Sequence, residues 1–360
     1  MNLENINNPV RFLSANVTLL EGALEGFPVR SHIMEQGKIK VGVTSIISKT
    51  RQREVFPLGD GEWVDPDPEI VKELAKFDEQ GVNVRVLLSQ STFEESKAFA
   101  KAYPQFQVIV TAGGIGDPAI DRAPTQVGNT WIIEPGEKGK HVGVFGLYAK
   151  DDQPMLRYQL VSLEREDFDD SESMIELMRL YQARLKEEQI VLVDGVGSPH
   201  PSGATFVGSQ ACMECHEDEV SIWKDTHHSH AFASLDPANK GEGHERLNGI
   251  NRTADPECLA CHVTGWDPKQ YTRFRSGFLN AEFAQTDAEK RLQSLLADNQ
   301  CENCHGPGSQ HIALANSGAD NAADSVRITY ENAKSTCIRC HDGDNSPEFD
   351  FEKYWKDIEH

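Results

Sequence analysis

The sequence predicts an α+β chain in two domains, a mixed α/β first part and a mainly α, irregular second part. Three observations predict it. Over residues 38–163, short β-rich runs alternate with amphipathic helical stretches. The stretch 194–209, DGVGSPHPSGATFVGS, is a Gly/Pro/Ser-rich break. Beyond it strand signals nearly vanish, and all 8 Cys of the 360 residues fall there. The expected layout is a first domain over 1–193, a linker over 194–209 and a second domain over 210–360.

The elements follow in order. Residues 38–45 (KIKVGVTS) read as a strand. Asp67 as N-cap, followed by Pro68 and by Ile70, Val71, Leu74 and Phe77, predicts an amphipathic helix. Residues 82–88 read as a buried strand. Thr92 with Glu95 forms a capping box that opens a helix through Ala98, Phe99 and Ala102, stopping before Pro104. Residues 107–111 are a further strand, ending in a Gly113-Gly114 turn. Residues 131–133, 141–148 and 156–163 predict a closing antiparallel meander. A long helix then carries Met174, Ile175, Leu177, Met178, Tyr181 and Leu185 on one side.

The net charge is −22, spread as −10 over 1–206 and −12 over 207–360. Such a surface repels phosphate-rich partners, so nucleic acid and anionic lipid are disfavoured and a basic protein partner is expected. No run approaches the roughly 18–20 apolar residues that span a bilayer. The start, MNLENINNPVRFLSANV, lacks the basic and apolar segments of a secretory signal.

Every cysteine sits in a Cys-x-x-Cys-His unit: Cys212/Cys215/His216, Cys258/Cys261/His262, Cys301/Cys304/His305 and Cys337/Cys340/His341. Two thiols three positions apart can each add across a vinyl group of one porphyrin, and the next residue then ligates the iron. Zinc ribbons and thioredoxin-like pairs also use Cys-x-x-Cys. With 13 His in 360 residues, four histidines in that position by chance is on the order of a one-in-a-million event, which favours four covalent haems. Each iron of an electron carrier needs a second axial ligand. Seven histidines in or near this part of the chain lie outside the motifs and are available: His200, His227, His228, His230, His244, His311 and His360.

The segments CMECHEDEVSIWKDTHHSHAFASL, CLACHVTGWDP, CENCHGPGSQH and CIRCHDGDNSPEFDFEKYWKDIEH resemble the tetrahaem cytochrome c-554 family over about 207–360. The resemblance implies a multihaem cytochrome c fold. Trp223 and His228 match a Trp and His that follow the first motif. His311 follows the Gly-Pro-Gly after the third, and His360 follows the last aromatic-rich helix. These three histidines are the implied distal ligands; His227 and His230 flank His228, and His230 is a further candidate for a distal ligand. The family leaves the haem of the second motif five-coordinate, here the one on Cys258, Cys261 and His262; His244 is the candidate if that site is closed.

Further upstream, PVRFLSANV, GKIKVGVTS, VLLSQSTFEESKAFAKAYPQFQVIVTAGG and GKHVGVFGLY resemble the later part of a calcineurin-like metallophosphatase domain of 5'-nucleotidase relatives, over about 9–163. The resemblance implies a partial metallophosphatase-like α/β sandwich, truncated at its N-terminus. The family's first three metal motifs would precede Asn8. Its lone-His position reads Gln90, and its Gly-His-x-His position reads Thr111-Ala112-Gly113-Gly114. Gln is a poor substitute for His toward Mn, Fe or Zn, so a non-catalytic scaffold is expected. His32 and His141 have no partners at ligand spacing.

The expected function is electron transfer by four covalent haems, outside the cytoplasm where haem c is attached. With no signal visible, either the true start lies upstream and the chain is a fragment, or export relies on something the sequence does not display. The alternatives are a haem-dependent oxidoreductase acting on a small nitrogen oxide at an open haem, and a phosphatase-like interaction domain with a redox appendage.

Overall fold

A computed structural model describes residues 11–19, 28–55, 61–112, 123–136, 138–150, 153–164, 166–190, 197–239 and 247–360. The chain divides into two compact units, Met1–Asp169 and Asp170–His360. The division falls ahead of the 194–209 stretch, because the long helix clusters with the second unit. Gly113, Gly114 and His244 lie outside the described residues.

The first unit contains β1 (Val17–Leu19), β2 (Ser31–Gln36), β3 (Ile39–Ile47), α1 (Lys49–Val55), β4 (Gly61–Trp63), α2 (Pro66–Glu79), β5 (Val84–Gln90), α3 (Phe93–Ala102), β6 (Val108–Thr111), β7 (Thr125–Val127), β8 (Thr130–Ile133), β9 (His141–Lys150) and β10 (Gln153–Ser162). Six strands form one sheet in the order β2-β3-β5-β6-β8-β7. Its centre is parallel, with Val41 beside Val84, Val86 beside Val108 and Val108 beside Trp131. Both edge strands are antiparallel to their neighbours.

Helix α2 packs on the sheet through Ile70, Leu74 and Phe77, which join Ile46, Leu87, Phe106, Ile109 and Ile132 in one core. Gly42 on β3 allows that approach, because a Cβ there would stand 2.9 Å from the Phe77 ring. The cap lies two residues earlier than the sequence suggests. Asp65, not Asp67, accepts the N–H of Asp67, and Pro66 opens the helix. The Thr92–Glu95 capping box of α3 forms as expected.

The expected meander is not one sheet. Strand β8 runs parallel to β6 inside the main sheet, whereas among the described residues β9 and β10 pair only with each other, Val142 beside Val161. The β-rich run at 131–133 fits either arrangement. Burial decides it, since Ile132 is 1% exposed.

The second unit opens with α4 (Glu172–Glu187), which buries Gln182 and Leu185 and exposes Met174, Leu177 and Tyr181. The six apolar residues therefore do not share one buried face. Gln182 donates from Nε2 to the Asp255 carboxylate at 2.5 Å. Short pieces follow: α5 (Ser209–Met213), α6 (Glu217–Lys224), α7 (Pro256–His262), β11 (Trp266–Asp267), β12 (Thr272–Arg273), α8 (Asp287–Leu296), α9 (Cys301–His305), α10 (Ser309–Asn316), α11 (Tyr330–Cys337) and α12 (Phe351–Ile358). Apolar burial is concentrated around α7 and α8, where Leu259, Val263, Trp266, Phe278, Leu279, Phe283 and Leu296 meet. Helices α5 and α10 bury no residue fully. Among the described residues, no helix is long and apolar enough to cross a membrane.

Candidate haem centres

Each Cys-x-x-Cys-His unit is wound as about one helical turn. The His216 N–H reaches Cys212 O at 3.0 Å, and His341 N–H reaches Cys337 O at 2.9 Å. The second and third units end α7 and make up α9. An i, i+3, i+4 pattern in that geometry projects both thiols and the imidazole to one side. Helix α7 is fixed by Asp255, which caps it through the Glu257 N–H, and by Pro256 at its first position.

Three histidines from outside the motifs stand beside motif imidazoles. The ring centroids of His216 and His311 are 6.1 Å apart, those of His341 and His228 5.9 Å, and those of His305 and His360 5.7 Å. Imidazole nitrogens bound to a metal on opposite sides, each at about 2 Å, put the ring centroids roughly 6 Å apart. The spacing fits a bis-imidazole iron.

The ring nitrogens are also prepared for it. Nδ1 of His305 faces Val326 O at 2.7 Å and Nδ1 of His311 faces Ala322 O at 2.9 Å. Nδ1 of His360 faces Ile358 O at 2.9 Å, and Nδ1 of His341 faces Ser346 Oγ at 2.8 Å. A proton held on Nδ1 by a carbonyl leaves Nε2 as the free lone pair for metal. Burial, with His341, His227 and His262 nearby, pushes His228 down to about 4, so its imidazole is neutral near pH 7. Burial also lowers His305 and His341.

The second motif differs. Nδ1 of His262 faces Ala231 O at 2.7 Å and Ser234 Oγ at 3.2 Å. Among the described residues, no imidazole ring stands beside it as in the other three. The adjoining cavity has a volume of about 940 Å³ and is lined in part by His227, His230, Ser234, Arg252, His262 and Asn345. His227 and His230 are exposed. His200 lies apart from the motif imidazoles, its ring edge-on to Phe206 and Phe274 and its Nδ1 2.8 Å from Ser202 Oγ.

Thiols of different motifs adjoin. Cys212 interacts with Cys301 and Cys261 with Cys340, raising Cys212 and Cys340 while lowering Cys301 and Cys261. Burial pushes Cys258 and Cys304 up to about 12, and Cys337 adds to the effect at Cys304. The first motif therefore neighbours the third, the second neighbours the fourth, and the third and fourth connect the two pairs. Among the described residues, no three His, Cys, Asp or Glu side chains converge as a bare metal ion requires.

Beyond Trp223, which the family resemblance singles out, the supporting residues Asn299, Thr264 and Asn303 carry no sequence signature of a site. Trp223 Nε1 donates to Asn299 O at 2.8 Å, and Asn299 Nδ2 donates to Cys261 O at 3.0 Å, joining α6 to the second motif. Thr264 Oγ1 donates to Asn303 Oδ1 at 2.7 Å, within the third motif. In the first unit, Gln90 is exposed at the end of β5. Thr111 is buried at the end of β6, where its hydroxyl accepts from Ser96 at 2.8 Å.

Paired thiols, adjoining imidazoles and facing imidazoles at this spacing fit covalently bound haem c. The family described as cytochrome c554 and c-prime matches residues 211–306. Cytochrome c-554 of Nitrosomonas europaea is 30% identical over 115 residues, 31% of this chain and 43% of that protein. The chain thus spans less than half the length of this curated relative. The reduced cytochrome c554 structure from the same organism has a TM-score of 0.31 at 22% identity, covering 43% of this chain and 83% of that one. A 5'-nucleotidase precursor from Thermus thermophilus has a TM-score of 0.42 at 19% identity, covering 52% of this chain and 40% of that one.

Proposed function

We propose that the second unit holds four covalent haems and transfers electrons between proteins. The single observation that carries this is the set of three imidazole pairs, each joining a motif histidine to a distant one at 5.7–6.1 Å. In this reading Cys212 and Cys215, Cys258 and Cys261, Cys301 and Cys304, and Cys337 and Cys340 form the thioether links. His216, His262, His305 and His341 are proximal ligands, and His311, His360 and His228 are distal to the first, third and fourth haems. When bound, haem iron supplies a one-electron couple whose potential follows its axial ligands, burial and nearby hydrogen bonds.

The chain's own groups hold that couple in place. Carbonyls of Val326, Ala322, Ala231 and Ile358 orient the imidazoles, and their hydrogen bonds make each ring a stronger ligand. In this reading electrons pass between the haems of neighbouring motifs. The net charge of −22 favours a basic redox protein as partner. Haem c attachment implies a periplasmic or otherwise extracytoplasmic setting. The domain read from the sequence over 1–193, followed by the linker 194–209, is taken as a non-catalytic metallophosphatase-like scaffold.

A specific observation favours a second reading for one site. Among the described residues no imidazole faces His262 as one faces each of the other motif histidines, which would leave the haem of Cys258 and Cys261 an open side for a small nitrogen oxide. A pyridine haemochrome assay on exported, matured protein tests the main reading. It is expected to give four haems per chain, and colourless protein holding zinc would end it. Ferric protein that shows one high-spin haem binding nitric oxide or cyanide supports the second reading; four low-spin haems would remove it.

A further inference from the structure

Glu302 lies between the two cysteines of the third motif, yet the groups it holds lead to the first. Its carboxylate is 4% exposed. It accepts the Val207 N–H at 3.0 Å to each oxygen, the Gly208 N–H at 2.8 Å and the Gly308 N–H at 2.7 Å. Val207 and Gly208 run directly into α5, which carries Cys212 and leads to His216. Gly308 runs directly into α10, which carries His311. The two chain segments bearing this imidazole pair therefore start from one buried carboxylate.

The surroundings make the arrangement rigid. Gly208 has φ +81°, and a Cβ there would stand 2.6 Å from Leu295 O, so only glycine makes this turn. Gln300 Oε1 accepts the Ser209 N–H at 2.6 Å, while its Nε2 donates to Leu295 O and Ala297 O. Thr205 and Ser309 bond each other, Thr205 N–H to Ser309 Oγ at 2.9 Å and Ser309 N–H to Thr205 O at 3.2 Å. A buried carboxylate is tolerated when several N–H groups satisfy it, and those N–H groups are orphaned when it is removed.

We propose that Glu302 is a positioning residue for the first haem, fixing the separation of His216 and His311 across its iron. The proposal rests on the reading of those two histidines as an axial pair. Glu302 touches neither ring; it acts through the segments that present them. Replacement by Ala removes every acceptor. Replacement by Gln keeps the shape but turns an NH2 group toward amide donors.

The test uses matured full-length protein carrying E302A, E302Q or H311A, singly and with each Glu302 change combined with H311A. Haem per chain is counted first, then ferric spin state by electron paramagnetic resonance and carbon monoxide binding in the ferrous state. With the haem count unchanged, E302A is expected to turn one low-spin haem high-spin and reactive to carbon monoxide, and E302Q to do so in part. In the H311A background neither change should add a further reactive haem, because that haem already lacks its second imidazole. Wild-type spectra for both Glu302 variants would overturn the proposal, as would any reactive haem in the combined variants beyond those of H311A alone. Should E302A fail to accumulate, E302Q decides by the same readouts. Failure of the underlying ligand reading is distinguishable: H311A alone would then leave the low-spin signals of the wild type.

Discussion

The two units bury their interiors in different ways. The first is closed by its own side chains: Phe77, Phe106, Leu87, Ile109 and Ile132 are each at most 1% exposed beneath the six-stranded sheet. In the second, such packing is confined to the neighbourhood of α7 and α8. The helices carrying the other motifs bury little, with Ala333 the one buried residue of α11 and none in α5. A side-chain core is specified by apolar periodicity. A core completed by porphyrins, as proposed for the second unit, is specified by attachment points, so regular structure there can be short.

The largest effect that would break this contrast is loss of haem. Protein made without attachment machinery should keep hydrogen-exchange protection in 61–112 and lose it across 209–230 and 301–341, since a prosthetic group that binds only the folded state stabilises it by mass action. Equal protection in both units would contradict the comparison. Replacing Cys258 and Cys261 by Ser should lower the haemochrome count by one per chain and leave the other three low-spin signals in place. Substituting His228 or His360 by Ala should produce one high-spin, carbon monoxide-reactive haem each.

Smaller effects sharpen the comparison from the other side. Phe77→Ala should destabilise the first unit by about 3–5 kcal/mol through the cavity it leaves, with the haem spectrum unchanged; thermal melts followed at separate far-ultraviolet and haem bands would show this. The smallest effect belongs to Glu95. Partial burial pulls its pKa up, but the Thr92 N–H and the Thr50, Thr92 and Ser48 hydroxyls overcome that and leave it below the ordinary carboxylate value. A depressed folded pKa means stability that is present at neutral pH and is lost as pH falls through that value. Glu95→Gln should therefore cost about 1 kcal/mol near pH 7, and the gap to wild type should close on acidification, as denaturant titrations at several pH values would reveal.

Much of this was legible in the sequence where the governing interactions are local. The Thr92–Glu95 capping box spans four residues and forms as read. The helix over 66–79 was also legible, although its cap moved from Asp67 to Asp65, because Pro66 supplies the first-turn position as well as Pro68 does. Strand 131–133 was visible but not its neighbour, since parallel pairing with β6 depends on the intervening chain. In the second unit, the thiols and adjoining imidazoles were legible from spacing, and His228, His311 and His360 from the family resemblance. Which motif imidazole each one faces was not, being set by contacts between residues 55–113 positions apart in sequence. Glu302 was invisible for a further reason: its partners are backbone N–H groups, which leave no mark in sequence.

Intact-mass analysis of the matured protein, followed by peptide mapping of the eight cysteines, tests the central claim most directly. The account predicts four haem increments, each on a peptide containing one Cys-x-x-Cys-His unit, with no free thiol remaining. An unmodified chain mass with eight alkylatable cysteines would contradict it.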